Sequence, residues 1–186
     1  MQGVRGADKK FHTISDLAQS DEFVNLANTI LGSKPCIVRV ILFDKSFYKN
    51  WFETWHQDKT IALDKKVEAT GWGPWSFKDR THHVQPPLEV LNKMVIFHLH
   101  LDDANENNGC LKVIQKSHKL GILSHLEITE VVNTQEPHLC EVQKGDLMLM
   151  KPFIIHSSSK SVIPDHRRVV HIEYSNYLLP ENLKWA

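Results

Sequence analysis

Trp55-His56-Gln57-Asp58, set in the β-rich run of residues 50–63, is the stretch on which the reading of this chain turns. In an extended strand, positions two apart project to the same face, so the His56 imidazole and the Asp58 carboxylate point the same way and can share one ion. Neutral imidazole and carboxylate suit a borderline divalent metal. A third histidine from a distant strand would complete a facial set of two histidines and one carboxylate with coordination positions left open. A lone His-x-Asp is a weak signal in a chain with 12 histidines, so the rest of the sequence has to supply both the context and the third ligand.

On either side the sequence reads as short strands. Residues 15–31 place Leu17, Phe23, Val24, Leu26, Ala27, Ile30 and Leu31 at helical steps and end on Gly32, which predicts a glycine-capped helix whose apolar side covers a sheet. Pro35 stops it, and the Ile- and Val-rich residues 36–43 read as a buried strand. Residues 64–92, with Gly71, Gly73, Pro74, Pro86, Pro87, Trp72, Trp75 and Phe77, read as a long loop. It is either a lid over a site or a segment anchored by its aromatics. Residues 94–101 alternate strictly, with Val95, Phe97, Leu99 and Leu101 on one face and Ile96, His98 and His100 on the other. Asn107-Asn108-Gly109 marks a turn, after which residues 110–114 are expected to pair back as a hairpin. Residues 117–132 read as weakly helical or irregular. Residues 138–142 and 146–150 read as strands, and residues 167–177 as the last strand, after a polar loop running to Pro164. Many short strands behind an early helical segment indicate a mainly β, antiparallel sandwich or barrel. No Gly-rich phosphate loop follows a strand, which argues against nucleotide-binding α/β folds.

At 186 residues the chain is expected to form a single domain, 1–186, with its core at about 36–177. Lys and Arg total 22 and Asp and Glu total 22, so no basic stripe argues for a nucleic acid or anionic membrane partner, and a small-molecule substrate is expected. Cys36, Cys110 and Cys140 are scattered and odd in number, which argues against a disulfide framework or zinc knuckle and fits a reducing compartment. Apolar runs such as residues 147–150 are far too short for a membrane span. The expectation is a soluble, cytoplasmic protein.

His156 follows the apolar run Phe153-Ile154-Ile155 and is the candidate third ligand, meeting His56 and Asp58 only through the fold. Arg167 opens the last strand, whose one face reads Arg167, Val169, His171, Glu173 and whose other reads Arg168, Val170, Ile172, Tyr174. The first face is polar where a core would be apolar. If it lines a barrel mouth, Arg167 offers a planar, permanently charged fork to a carboxylate. The bland readings are a hydrogen-bonded surface histidine and a surface ion pair of Arg167 with Asp165 or Glu173. His98 and His100, two apart on one face, are rival ligands on the residues alone.

The segments Phe43-Asp44-Lys45, Asn50-Trp51, Trp55-His56-Gln57-Asp58-Lys59-Thr60-Ile61-Ala62, Gly73-Pro74-Trp75-Ser76, His83-Val84-Gln85-Pro86-Pro87, Leu99-His100-Leu101-Asp102-Asp103, Asn108-Gly109, Ser117-His118 and residues 166–174 together resemble a bacterial branch of the phytanoyl-CoA dioxygenase family. The resemblance runs from about residue 36 to 177. It implies a double-stranded β-helix (a cupin-like jelly roll) with N-terminal helices packed on one sheet, and chemistry that uses Fe(II), 2-oxoglutarate and O2. Carried over by position, it makes His56, Asp58 and His156 the metal ligands and catalytic centre, Arg167 the grip on the far carboxylate of 2-oxoglutarate, and Ser158 an aid to that grip. Gln115-Lys116-Ser117-His118 departs from the family's usual Pro-Gly-Ser-His and puts the shape of that loop in question. A carboxylate at Asp58, where related halogenases carry a small residue, implies hydroxylation instead. Two other classes fit the same ligands: a metal-binding barrel without oxygenase activity, and a zinc-dependent hydrolase or isomerase.

Overall fold

The structure, a computed structural model, describes residues 3–163 and 165–186. Met1, Gln2 and Pro164, the expected end of the loop before the last strand, lie outside the described residues. In chain order the elements are β1 (Gly3–Arg5), α1 (Ala7–Lys10), α2 (His12–Gln19), α3 (Asp21–Leu31), β2 (Cys36–Lys45), β3 (Glu53–His56), β4 (Ile61–Leu63), β5 (Trp75–Lys78), β6 (Thr81–Val84), α4 (Leu88–Asn92), β7 (Met94–His100), β8 (Leu111–Val113), α5 (His125–Thr134), β9 (His138–Cys140), β10 (Leu147–Met150), β11 (His156–Ser158) and β12 (Arg167–Ser175). Among the described residues no helix is long and apolar enough to cross a membrane.

Strand parity decides what faces what. Val170, Ile172 and Tyr174 of β12, Val95 and Phe97 of β7 and Val40 of β2 lie on one face of the sheet β1-β2-β12-β7-β10 and pack against Ile14, Ala18, Phe23 and Ala27 of α2 and α3. Each large apolar side chain buried there contributes about 1.5–3 kcal/mol. Phe97 stands edge-on to both Phe23 and Tyr174, and the Tyr174 hydroxyl donates to the Ala18 carbonyl at 2.6 Å. With one parity committed to the helices, the other parity of β12, β7 and β2 must look the opposite way, across a cavity toward the second sheet, β3-β11-β8-β9. Both sheets are antiparallel throughout. This is the double-stranded β-helix with N-terminal helices on one sheet.

Four details differ from the expectations. The single helix over 15–31 is two, because Ser20 ends α2 and its hydroxyl accepts from Phe23 N to cap α3. Residues 94–101 and 110–114 form no hairpin. β7 lies between β12 and β10 in the first sheet and β8 between β11 and β9 in the second, so the turn at Gly109 carries the chain across the barrel. Residues 64–92 are not a plain loop. β5 and β6 form a hairpin that adds to β4, turned by Asp79 and Arg80 at φ 50° and 63°. Trp72 and Trp75 pack on the core of Ile61, Leu63, Val84 and Phe153, which is the anchoring role, whereas Phe77 stays exposed. Residues 117–132 include the start of a regular helix, α5, capped by Ser124 and Glu127 in a reciprocal pair of bonds. At Gln115-Lys116-Ser117-His118 the turn persists with Lys116 at φ 63°, a left-handed conformation that glycine would take more easily.

Candidate active site

Trp55 packs against Ile114, Ile128 and Ile155 beneath α5, so the next residue along β3, His56, points to the opposite side, into the cavity. His156 of β11 pairs directly with His56 across the ladder, and their ring centroids are 4.2 Å apart. Asp58 is past the end of β3, so strand parity does not place it. Its backbone N–H donates to the Pro152 carbonyl at 2.9 Å, while the buried Gln57 amide donates to the Gly121 and Phe153 carbonyls and accepts from Leu123 N. Those bonds turn the chain so that the Asp58 carboxylate lies 3.9 Å from His56 Nε2 and 3.8 Å from His156 Nε2. One donor atom from each of His56, Asp58 and His156 falls within 4.8 Å of the others.

Both imidazoles are fixed in the tautomer that a metal needs. His56 Nδ1–H donates to the Thr54 carbonyl at 2.7 Å and His156 Nδ1–H to the Ile154 carbonyl at 2.9 Å. A carbonyl can only accept, so each Nδ1 carries the proton and each Nε2 presents its lone pair. Burial pushes the His156 imidazole down to about 4, against the pull of Asp58. Burial alone would raise the Asp58 carboxyl, but His156, His171, His56 and Arg39 outweigh it and hold it below its ordinary value. Two imidazole Nε2 atoms and one ionised carboxylate on one side of a cavity form a donor set that fits Fe(II). Glu53 Oε1, 4.0 Å from His56 Nε2, is a further carboxylate at the same edge.

The cavity, about 240 Å3, continues from this cluster to Arg167. Arg167 is 8% exposed, and its Nε is buried without a hydrogen-bond partner among the described residues. Arg168, one residue on, is 47% exposed in its side chain and forks onto Asp102 at 2.7 and 2.8 Å on the other side of the sheet. His100 also lines the cavity, with both ring nitrogens buried and unpartnered among the described residues. Burial, then the charge of Arg167, drives it down to about 4, so it is neutral. A buried polar atom left unpaired costs about 1–3 kcal/mol, so a hydrogen-bonding ligand in the cavity would relieve that cost at Arg167 and His100. Ser158 lines the same end. Its hydroxyl donates to the Gly109 carbonyl at 2.7 Å and accepts from Lys45 Nζ at 2.7 Å. Lys45 is fully buried over the Trp51 ring, and burial followed by Arg167 lowers it to about 7.

Deeper on the same face runs a buried polar chain. Glu173 accepts from Arg39 Nε at 3.0 Å and from His171 Nε2–H at 2.9 Å, and His171 Nδ1 shares a further hydrogen bond with His98 Nε2 at 2.7 Å. His98 and His100 both line the cavity, His98 hydrogen-bonded to His171 and His100 unpartnered among the described residues, and neither belongs to the cluster of His56, Asp58 and His156. Sequence reasoning treated His100 only as a rival ligand and did not single out Lys45, Arg39 or Glu53. For His100 and Arg39 the signal was available, since each shares a strand face with residues that avoid the helices.

Together these features define a double-stranded β-helix with a His-Asp-His cluster facing a buried arginine across one cavity. Residues 3–169 match the family Phytanoyl-CoA dioxygenase (PhyH), and the chain belongs to that family. Among solved structures, AviO1 from Streptomyces viridochromogenes Tue57 superposes with a TM-score of 0.63 at 23% identity, over 89% of this chain and 62% of that one. EctD from S. alaskensis with 2-oxoglutarate and 5-hydroxyectoine gives 0.70 at 17% identity, over 94% and 56%. HygX from Streptomyces hygroscopicus with iron bound gives 0.66 at 15% identity, over 97% and 74%. The chain thus spans less than two thirds of the length of AviO1 and of EctD. No curated protein matches it in sequence.

Proposed function

We propose that this chain is a non-haem Fe(II)- and 2-oxoglutarate-dependent dioxygenase that hydroxylates a small organic substrate and releases succinate and CO2. The observation that carries the reading is the placement of His56, Asp58 and His156 in one cavity with a buried guanidinium, Arg167, that has no carboxylate partner among the described residues. A metal-binding barrel or a zinc hydrolase would have no use for that charge, whereas a keto-diacid brings a carboxylate to it. The relatives crystallised with iron and with 2-oxoglutarate support the same choice.

In this reading His56 Nε2, His156 Nε2 and the Asp58 carboxylate hold the iron, and the bound metal supplies the activation of O2. Arg167 binds the far carboxylate of 2-oxoglutarate and sets its direction. Lys45 holds the Ser158 hydroxyl at the edge of that pocket, and His100 adds an uncharged hydrogen-bonding group beside it. Ile41, Phe43 and Val169 give the cavity apolar walls, which keep water from the reacting groups and strengthen each charged contact. The test is succinate release from 2-oxoglutarate in air by Fe(II)-loaded protein, with Zn(II)-loaded protein as the comparison. Succinate with iron and none with zinc is the expected result. No succinate from the iron form, together with no calorimetric binding of 2-oxoglutarate, would refute it.

A further inference from the structure

Arg167 occupies one end of the cavity, and the other end is built from different elements. On β12, Arg167 and Glu173 share a face about 20 Å apart at the rise of a strand, and the register lays Lys45, Phe43, Ile41 and Arg39 of β2 along the same line. Arg39 is therefore at the far end. Arg5, paired with Ile41 through β1, and Lys78 and His83 from the β5–β6 hairpin close that end. The same four residues, Arg5, Arg39, Lys78 and His83, also line a second cavity of about 250 Å3 beside α1, so they stand where the two cavities meet.

We infer that the primary substrate carries an anionic group, a carboxylate or a phosphate, bound at this junction by Arg39, Arg5 and Lys78. The inference rests on the oxygenase reading, which assigns the Arg167 end to the cosubstrate. Arg39 is held from behind: its Nε and one terminal nitrogen bond Glu173, and Nη1 makes no hydrogen bond among the described residues. A guanidinium clamped this way has lost its rotamer freedom before a ligand arrives, so less is lost on binding. Arg5 Nη1 is set by Asp79 at 2.9 Å, on the hairpin turn next to Lys78. Lys78 has no carboxylate within ion-pair distance among the described residues, which leaves one positive charge in excess over Glu173 and Asp79.

His83 lies among the same cations. It is buried and held down to about 4, first by burial and then by Arg39, Arg5 and Lys78, so a neutral imidazole sits among three cations. His156 stands two residues along β11 from Ser158, whose hydroxyl Lys45 holds at the Arg167 end, so the cluster of His56, Asp58 and His156 is set back from that end along the same cavity. A substrate anchored at the junction thus approaches the cluster from the side away from the cosubstrate. The second cavity leaves room for a portion of substrate beyond its anionic group. A cationic substrate would meet a junction that already carries one positive charge in excess.

The probes are orthophosphate and butanoate, titrated calorimetrically into full-length protein carrying Mn(II) and saturated with 2-oxoglutarate, so that the Arg167 end is filled. At least one probe should bind. Lys78→Gln and Arg5→Gln should each raise its dissociation constant about five- to tenfold. Arg168→Gln, on the opposite side of the sheet, should change nothing. Nuclear relaxation of the bound probe should be enhanced by Mn(II), and 2-oxoglutarate affinity retained in both variants shows that they are folded. Phosphate alone, butanoate alone or both binding identifies which anion the junction takes. Binding of neither probe, or binding equal in wild type and both variants, overturns the inference. Probe binding that responds to Lys78 and Arg5 in a protein that binds no 2-oxoglutarate overturns the oxygenase reading, and with it the assignment of the anion as substrate.

Discussion

Arg167→Ala separates the two neighbouring arginines and tests what the buried one is for. Arg167 is 8% exposed, its Nε has no hydrogen-bond partner and its guanidinium no carboxylate within ion-pair distance among the described residues, and its charge lowers both Lys45 and His100. Removing it therefore breaks no ion pair, and denaturant unfolding of the variant should show stability unchanged or raised. Cosubstrate affinity should move the other way. A charge-assisted contact in a desolvated pocket is worth about 2–3 kcal/mol, so the dissociation constant for 2-oxoglutarate should rise roughly thirty- to a hundredfold or more. Arg168→Ala loses only a surface pair with Asp102 and should stay within a few fold of wild type. The assay is calorimetric titration of 2-oxoglutarate into Mn(II)-loaded protein without oxygen. A large loss in Arg168→Ala, or none in Arg167→Ala, would show that the polar face of β12 does not bind the keto-acid.

Two further outcomes follow from the scaffold around the site. Gly109 has φ +74°, and a Cβ there would come within 2.2 Å of the Ser159 carbonyl oxygen, so Gly109→Ala should destabilise the fold by more than the roughly 1 kcal/mol of a left-handed alanine alone, measured by urea unfolding. His83 and His100 are held at about 4 in the folded chain against 6.5 for a free imidazole, so the unfolded chain binds more protons in that window. Stability should be full above 6.5 and fall as pH drops toward about 4, by up to about 1.4 kcal/mol per pH unit for each histidine, and His83→Gln should flatten the fall measured by urea unfolding across that range.

Much of this was legible because parity is a local property. The apolar residues Val170, Ile172 and Tyr174 announce the helix-covered face of β12, and once that face is assigned, Arg167 must look into the cavity and Arg168 out of it. The partners of a strand are not local in the same way. The alternating pattern of β7 says that it is half covered but not that its neighbours are β10 and β12, so the expected hairpin with β8 failed where the chain crosses between sheets. The β5–β6 hairpin was hidden because its turn residues, Asp79 and Arg80, take positive φ without the glycine that usually signals it. Asp58 points toward His56 for a reason that strand spacing did not supply: it follows the end of β3 and is held by Pro152 and by the bonds of Gln57. The helix α5 did carry a signal, Ser124-His125-Leu126-Glu127, in its capping pair.

The most direct test of the central claim is an anaerobic titration of the Fe(II)-loaded protein with 2-oxoglutarate, followed by visible absorption. A metal-to-ligand charge-transfer band should appear, saturate at one equivalent, be lost in His56→Ala, Asp58→Ala and His156→Ala, and need far more 2-oxoglutarate in Arg167→Ala. A wild-type protein that binds Fe(II) and develops no band at any 2-oxoglutarate concentration would contradict it.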